Sequence, residues 1–383
     1  CYLGPIDGHN METLCDVLQR AKNLHRPVFL HIETQKGKGY SYAEENPGEY
    51  HGTSGFDIDT GKSFSSASTN FSNEFGLYLT ELAKRDERIC AITAAMKYGT
   101  GLNHFSRAFG QQGRFFDVGI AEPHAVTFAG GLAANGMLPV FAVYSSFLQR
   151  CYDQIIHDLS IEQQHVVIGI DRAGIVGSDG ETHQGLFDVA MLSSVPGITL
   201  YSPATYEEMR CSLYKSLYEH TGVCCVRYPR GGESKLPAFD PQVPWAIEPK
   251  GAKPRLLLVT YGKLSAQAVQ AAQTLSQQGV PTAVLKLLRL LPFCEEAVEQ
   301  AMQAEYVLFA EEGIESGGIG QMFGSRLLEN GFQGHYRALA VHDRFVEQAT
   351  PDRALALCGL DAQSMVQTCT QWMKEQQTED FDR

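Results

Sequence analysis

The chain has 383 residues, of which 44% are hydrophobic, and carries a formal net charge of −13 at pH 7. This length exceeds what a single hydrophobic core usually fills, so we expect two domains and part of a third. The acidic balance, with no dense run of Lys or Arg, excludes a nucleic-acid scaffold, because phosphate backbones bind to basic faces. Small anionic substrates remain possible, since they need only one or two local arginines.

Cysteine usage and apolar runs bear on the compartment. The ten cysteines have irregular spacing and no CxxC pair, which favours buried or inert thiols in a reducing cytosol over a disulfide framework. No apolar run approaches the roughly 20 residues that span a bilayer. The N-terminus also lacks the basic-then-apolar pattern of a signal peptide. The sequence therefore predicts a soluble, cytoplasmic protein with no membrane partner.

Residues 1–65 predict the end of a domain and a linker. Residues 11–25 have helical apolar spacing, and PVFLHIETQ (27–35) is typical of a buried strand. One helix and one strand make no core, and the chain starts at Cys1 without an initiator Met, so we expect a cut through a larger protein. Residues 37–68 are rich in Gly, Ser and Tyr and predict a loop or linker.

Helix and strand patterns alternate through the rest of the chain. From 66 to 230, near-continuous Val, Ile and Phe strands separated by helices of about 10–15 residues predict an α/β domain whose parallel sheet is covered on both faces. A Pro- and Gly-rich joint at 231–245 leads to a second such domain, which we place at 240–383. Ligands of open parallel sheets gather at the carboxyl ends of the strands, so the functional residues are expected in the loops directly after them.

The stretch GIAEPHAVTFAGG (119–131) contains the first candidate. We expect a strand through about Ile120, then a helix with Pro123 in its first turn and Gly136 as its stop. Glu122 is then the expected N-cap, although its long side chain makes Glu a poor cap. Burial raises the pKa of a carboxyl group and a helix N-terminus lowers it, so Glu122 could share a proton with a ligand. A helix cap and a proton-sharing carboxylate are both open.

Polar or aromatic side chains also follow the next three predicted strands. Arg172 and Arg230 can clamp a phosphate with paired hydrogen bonds, or each can form a structural salt bridge. His183 can serve chemistry or stabilise its Gly-rich loop, since glycine alone is a weak signal. The candidates at these strand ends are, in chain order, Tyr144, Phe147, Arg150, Arg172, Asp179, His183 and Arg230.

Six motifs together closely resemble the 1-deoxy-D-xylulose-5-phosphate synthases, thiamine-diphosphate enzymes of the transketolase superfamily. They are YLGPIDGHN, TQKGKGY, FFDVGIAEPHAVTFAGGLA, YSSFLQRCYDQIIHD, DRAGIVGSDGETHQG and RYPRG, and the resemblance covers essentially the whole chain. It implies a pyrimidine-binding α/β domain at 66–230, a transketolase C-terminal α/β domain at 240–383 and, at 1–65, the tail of a diphosphate-binding domain. The family's Gly-Asp-Gly…Asn motif, which holds Mg²⁺ and the diphosphate, has no copy here. The metal ligands are therefore expected in a preceding domain and none in this chain.

The resemblance also implies roles for individual residues. Glu122 matches the glutamate that bonds the aminopyrimidine of the cofactor and drives its imino tautomer. Phe147 matches the aromatic residue on the pyrimidine ring, and Tyr40 a tyrosine that contacts the cofactor. Pro123 departs from the family pattern, which usually has Gln there. Two further sets match groups around the reacting carbon and contacts to a phosphorylated aldehyde: His51, Asp179 and His183, and then Tyr144, Arg150, Arg172 and Arg230.

The implied reaction condenses pyruvate with D-glyceraldehyde 3-phosphate, with loss of CO₂, to give 1-deoxy-D-xylulose 5-phosphate. This product feeds isoprenoid, thiamine and pyridoxal synthesis, and the family is homodimeric. A transketolase or the beta subunit of a pyruvate dehydrogenase shares the fold and the glutamate, and is the second interpretation. A third is a non-catalytic fragment, or a subunit that needs a partner for the diphosphate domain. We expect the chain on its own to be inactive.

Overall fold

A computed structural model describes residues 1–53, 55–64, 69–177, 179–251 and 253–381 of the chain. The chain divides into two units, Cys1–Ser68 and Thr69–Arg383, and each is described by itself. Positions 54 and 65–68 of the predicted linker lie outside the described residues. In the part of the chain that is described, no helix is both long enough and apolar enough to cross a membrane.

The first unit pairs two parallel strands beside one longer helix. The predicted helix is confirmed, and it begins where the side chain of Asn10 accepts a hydrogen bond from the Thr13 N–H. The prediction of a buried strand is wrong, because Phe29 is 69% exposed and, within the described residues, the strand pairs only with the strand at the start of the chain. The elements are β1 (Tyr2–Asp7), α1 (Met11–Asn23), β2 (Phe29–Glu33) and α2 (Ser41–Glu45).

The first half of the second unit alternates helices and strands as predicted. Its elements are α3 (Phe71–Ala83), β3 (Ile89–Thr93), α4 (Asn103–Phe109), β4 (Phe115–Asp117), α5 (Glu122–Ala134), β5 (Leu138–Tyr144), α6 (Ser145–Leu148), α7 (Tyr152–Gln154), β6 (Val166–Asp171), α8 (Asp188–Ser193), β7 (Thr199–Tyr201), α9 (Tyr206–Tyr218) and β8 (Val223–Arg227). The predicted single helix LQRCYDQIIHDLS is instead broken into α, 3₁₀ and π turns. Leu148, Cys151, Ile155 and Leu159, spaced three or four residues apart, are all buried in one core cluster.

The second half of this unit follows an irregular joint, again as predicted for 231–245. Its elements are β9 (Trp245–Glu248), β10 (Leu256–Tyr261), α10 (Ser265–Gln277), β11 (Thr282–Leu287), β12 (Arg289–Leu291), α11 (Glu295–Ala301), β13 (Tyr306–Ile314), α12 (Ile319–Glu329), β14 (His335–Val341), α13 (Pro351–Cys358) and α14 (Ala362–Phe381). We call the two parts of this unit the first and second α/β halves, divided at the joint 231–245.

Each half has its own sheet, and each sheet is parallel except at one edge strand. The first sheet has the order β12-β7-β8-β6-β5-β3-β4, and the second has the order β14-β13-β10-β11-β9. The edge strands β12 and β9 run antiparallel to β7 and β11. The predicted parallel sheets are therefore confirmed, with one antiparallel edge strand added to each. Although β12 comes from the second half by sequence, it pairs in the sheet of the first half.

Apolar side chains cover both faces of the first sheet, as its near-continuous hydrophobic strands predict. Neighbouring residues point to opposite faces, so Val140 packs in one core cluster and Phe141 in another. The cluster around Phe141 also contains Val259 and Phe309 of the second sheet. The two α/β halves therefore share one continuous core.

Candidate functional site

The candidate site lies where neighbouring parallel strands of the first sheet end. Strands β5 and β6 pair through to their last residues, Tyr144 and Asp171. On the other side of β6, strand β8 ends at Arg227, which pairs with Ile170. Loops leaving these three ends carry most of the residues that the sequence singled out. The prediction that the loops after the strands meet at one sheet edge is confirmed.

The segment before α5 differs from its prediction at two points. Strand β4 ends at Asp117 rather than about Ile120, whose side chain is 80% exposed. Glu122 is the first residue of α5 and not its N-cap. Ala121 occupies the cap position, and its side chain cannot accept a hydrogen bond from the free N–H groups of the first turn. The predicted helix stop is confirmed, since Gly136 has a φ of 83° directly after the helix.

The carboxylate of Glu122 is almost completely buried, with 2% of its surface exposed. Its Oε1 accepts a hydrogen bond of 2.6 Å from Nη1 of Arg150. The Arg150 side chain is 45% exposed, and its guanidinium lies 4.6 Å from the centre of the Phe147 ring. Burial, and next the charge of Glu122, raise the pKa of the neighbouring Cys151 thiol to about 12. Arg150 therefore links the buried carboxylate to the aromatic ring beside it.

Three aromatic rings, from the end of β5, from α6 and from the loop after β6, lie in contact with one another. Tyr144 and Phe147 stack with their centres 5.7 Å apart. The ring of His183 meets Phe147 edge to face at 5.3 Å. On the other side, the guanidinium of Arg172 lies 3.8 Å from the centre of the Tyr144 ring. Burial raises the pKa of Tyr144 to about 12, so its phenol stays neutral.

Asp179 joins the two arginines that the sequence proposed as a phosphate clamp. Its carboxylate forms ion pairs with both, lying 2.8 Å from Nη1 of Arg230 and 3.7 Å from Nε of Arg172. Arg172 has a positive φ of 59° and donates from Nη1 to the Gly99 carbonyl and to Asp171. The structure thus brings both guanidinium groups to one carboxylate, in an arrangement that suits either a salt-bridge cluster or the recognition of a second anion.

Two side chains of this edge were missed by the sequence interpretation. Asp171 is fully buried at the end of β6, where burial raises its pKa against the pull of Arg172. Ser145 is also buried, and within the described residues its hydroxyl has no hydrogen-bond partner. Asp and Ser directly at a strand end are the signal that could have found both.

Tyr40 and His51, the other two predicted site residues, belong to the first unit. The Tyr40 hydroxyl donates to the Ile58 carbonyl at 2.9 Å, and its ring packs beside Tyr50 and Phe56. Nδ1 of His51 lies 2.7 Å from Nζ of Lys36. Their predicted roles stay predictions.

The donor set also bears on a metal. Among the described residues, no group of three or more His, Cys, Asp or Glu side chains could hold a metal ion. Near Glu122 the available groups are instead one buried carboxylate, aromatic rings and guanidinium groups. This set suits a flat heteroaromatic ring with amino and ring-nitrogen atoms, and does not suit Mg²⁺.

Three family models match the chain. Residues 67–232 match the transketolase pyrimidine binding domain, residues 246–365 match the transketolase C-terminal domain, and residues 1–34 match a model of 1-deoxy-D-xylulose-5-phosphate synthase. A 1-deoxy-D-xylulose-5-phosphate synthase of Caldanaerobacter subterraneus is 41% identical over 98% of this chain, and one of Clostridium acetobutylicum is 40% identical over 95% of it. The chain spans 60% and 59% of the lengths of these two relatives.

Solved structures give the same architecture. A protein described as a split gene transketolase, inactive beta4 tetramer, is 26% identical with a TM-score of 0.69, and the match covers 79% of this chain and 98% of that one. A transketolase from Leishmania mexicana has a TM-score of 0.67 at 18% identity, with 81% of this chain and 46% of that chain covered. The second likeness supports the fold alone. The predicted α/β class is confirmed.

Proposed function

The chain belongs to the 1-deoxy-D-xylulose-5-phosphate synthase family, and from this premise we propose that it contributes the pyrimidine-binding part of an active site that condenses pyruvate with D-glyceraldehyde 3-phosphate. The products are 1-deoxy-D-xylulose 5-phosphate and CO₂. The observation that carries the proposal is the buried Glu122 carboxylate, held at a helix start beside Phe147 and Arg150. A helix cap alone does not explain it, because Glu122 is not at the cap position.

Glu122 and Phe147 would hold the aminopyrimidine of thiamine diphosphate. When bound, this cofactor supplies a carbon nucleophile and an electron sink for decarboxylation. Glu122 would share a proton with a ring nitrogen, and the low-polarity surroundings would strengthen that hydrogen bond. Arg150 now pairs with Oε1 of Glu122, but its half-exposed side chain can turn into solvent when the pyrimidine takes its place at the buried carboxylate. Mg²⁺ is proposed from the resemblance only, and no step here depends on it.

The remaining residues would orient and receive the substrates. His183 would donate or accept a hydrogen bond to the substrate at its ring nitrogens, with Thr182 Oγ1 2.9 Å from Nδ1. Arg172 and Arg230, aligned by Asp179, would bind the phosphate of the aldehyde in the planar, paired geometry that guanidinium groups favour. Tyr144, whose neutral phenol lies under Arg172, would contact the same substrate.

Further parts of the proposal come from the resemblance. Tyr40 would contact the cofactor, and His51 would lie near the reacting carbon. We propose the domain limits 1–65, 66–230 and 240–383, a homodimer, and a cytoplasmic location. Light scattering of the purified chain checks the dimer, and a monomer at micromolar concentration would contradict it.

Product analysis tests the reaction. The chain is fused behind the portion of the Caldanaerobacter synthase that the match does not cover, and supplied with thiamine diphosphate, Mg²⁺, pyruvate and glyceraldehyde 3-phosphate. Mass spectrometry is expected to find 1-deoxy-D-xylulose 5-phosphate and one CO₂ for each molecule formed. Turnover of ketose donors without use of pyruvate would favour a transketolase instead.

A second candidate is a subunit that works only with a separately made diphosphate-binding partner. It is favoured by the split gene transketolase, because the match covers 98% of that protein's chain. Calorimetric titration of the 383 residues with thiamine diphosphate and Mg²⁺ tests this idea. Weak or absent binding that becomes tight on addition of the amino-terminal part of a relative is expected, and tight binding by the chain alone contradicts it.

A further inference from the structure

The Gly-rich loop between β6 and α8 is tied at its base to the second α/β half. Its described residues are 172–177 and 179–187. The N–H of Ile175 donates a hydrogen bond of 2.9 Å to Oε2 of Glu312, which lies in β13 of the second sheet. At the other side of the loop base, the N–H of Ile314 donates to the Leu186 carbonyl at 2.9 Å. The two ends of the loop thus meet the same strand.

Apolar packing also attaches the loop base to the second α/β half. Ile175 and Leu186 are buried in a core cluster whose other members include Leu258 and Leu308 of the second sheet. Gln184 adds a polar tie, since its Oε1 accepts from the Val176 N–H at 2.8 Å and its Nε2 reaches a carbonyl of the second half at 3.3 Å. The loop base is therefore part of the core of the second half, although the loop begins and ends in the first.

The contact with Glu312 leaves no spare room. Gly174 and Gly185 close the loop base with two backbone hydrogen bonds of 2.7 and 2.8 Å. A Cβ atom at Gly174 would lie only 2.4 Å from Oε2 of Glu312. Shifting either partner by about 1 Å would break the bond to Ile175, because hydrogen bonds of this kind weaken steeply beyond about 3.2 Å.

Burying the Glu312 carboxylate costs free energy, and the hydrogen bond that offsets this cost comes from outside its own strand. The side chain is 8% exposed, and burial raises the pKa of its carboxyl group. Together with Arg227 and Lys263 it lines a cavity of about 10 Å³, the size of one water molecule. The bond that Glu312 accepts from Ile175 is made to the loop of the other half.

The same loop carries three of the proposed site residues. Arg172 precedes the closed base, and Asp179 and His183 lie inside it. We infer that Glu312 is a positioning residue, whose carboxylate fixes the base of this loop and so sets the places of Arg172, Asp179 and His183. The second α/β half thereby controls the geometry of a site built on the first. The consequence for substrates rests on the proposed function, whereas the order of the loop is measured without it.

Three substitutions separate length from charge at this position. Glu312→Gln keeps an oxygen at the same reach, Glu312→Asp keeps the charge but is one methylene shorter, and Glu312→Leu removes the acceptor. Hydrogen–deuterium exchange of the 383-residue chain is followed in peptides covering 173–187. The Asp and Leu variants are expected to raise exchange of the Ile175 amide about tenfold or more. The Gln variant should match the wild type.

Glu208→Leu is the matched control. Glu208 is also buried and also joins the two halves, through its ion pair with Lys286. Within the described residues its carboxylate is bonded to Lys286 and the Ala204 N–H, both outside the loop. It should lower the melting temperature and leave exchange in 173–187 unchanged. Unchanged exchange in the Asp variant, or a Gln variant that behaves like Leu, overturns the inference. Should the Leu variant fail to fold, the Asp and Gln pair still decides.

Activity of the fusion protein gives the second measurement. The Asp variant is expected to raise KM for glyceraldehyde 3-phosphate about tenfold, with KM for pyruvate changed less than twofold, and the Gln variant should restore both. If Glu312→Asp alters exchange in the loop while the wild-type fusion protein shows no turnover, the inference stands and the proposed function fails. Altered exchange with both KM values unchanged would show that the loop order does not set the site, and would overturn the inference.

Discussion

Glu311 and Glu122 are both buried glutamates close to a helix start, and their surroundings differ. Oε2 of Glu311 accepts from the Tyr261 hydroxyl and from the Ile319 N–H, and its Oε1 accepts from the Gly320 N–H. These donors are buried in the second half and fix the start of α12. Glu122, at the start of α5, is instead paired with a side chain that is 45% exposed.

The two glutamates differ in whether a ligand can replace their hydrogen-bond donors. A ligand cannot take the place of the donors around Glu311 without opening the core, whereas Arg150 can swing into solvent and free Oε1 of Glu122. Burial of a carboxylate therefore does not mark a functional site by itself. What marks it is a partner that can leave, and the following predictions test that distinction from the largest expected effect to the smallest.

Glu122→Gln is expected to have the largest effect on activity. The amide has the shape of the carboxylate but cannot exchange a proton with a bound pyrimidine, so kcat of the fusion protein should fall by about 10²–10⁴-fold. The melting temperature, measured by calorimetry, should stay within about 1 °C of the wild type. Full activity with an unchanged melting temperature would reduce Glu122 to a structural residue of the helix start.

Glu311→Leu is expected to have the largest effect on stability. The substitution leaves three buried donors without an acceptor. It also removes the free-energy cost of burying the carboxylate, and this same burial raises the pKa of Glu311. The net loss should be about 2–4 kcal/mol in urea unfolding. Glu122→Leu is the matched control and should cost less than about 1 kcal/mol, because Arg150 becomes hydrated. Equal losses would remove the distinction between the two glutamates.

Arg230→Ala tests the arginine pair. It removes a guanidinium that lies 2.8 Å from Asp179, and KM for glyceraldehyde 3-phosphate should rise about 10–100-fold with little change for pyruvate. Arg255→Ala, which breaks an exposed pair with Glu305, serves as the control and should leave both values unchanged. Equal increases for the two substrates would argue against a phosphate contact.

Thiol reactivity gives the smallest effect. The ten cysteines are free, and only Cys1 and Cys15 are exposed. Burial raises the pKa of the Cys90, Cys151 and Cys224 thiols to about 12, so thiolate is scarce at neutral pH. A thiol reagent at pH 7.5 should label two cysteines quickly and the buried ones only after denaturation. Rapid labelling of more than four would contradict the packing around the site.

Much of the fold could be predicted, because each central strand is a local apolar run and each helix has local periodicity. Glu122 and the loops after β5, β6 and β8 were found for the same reason, since strand ends are visible in sequence. The burial of β2 was overestimated, because an apolar strand is buried only when other elements cover it.

Partners that come from distant parts of the chain could not be predicted. Arg150 pairs with Glu122 across 28 positions, and Glu312 meets Ile175 across 137. Nothing in the local pattern of AEEGIES separates Glu311, which fixes its own half, from Glu312, which contacts the other. Such contacts depend on how the two sheets pack, and a local sequence pattern does not show which distant residues the packing brings together.

The pairing of β12 with β7 has a consequence for dividing the chain. A first half cut at the joint 231–245 would lose β12, and β7 would become an open edge with unpaired N–H and C=O groups. Exposed edges of this kind recruit strands from other molecules, so the isolated half is expected to aggregate. Strand β12 thus covers the edge of the sheet that holds the site, although it belongs to a later part of the chain.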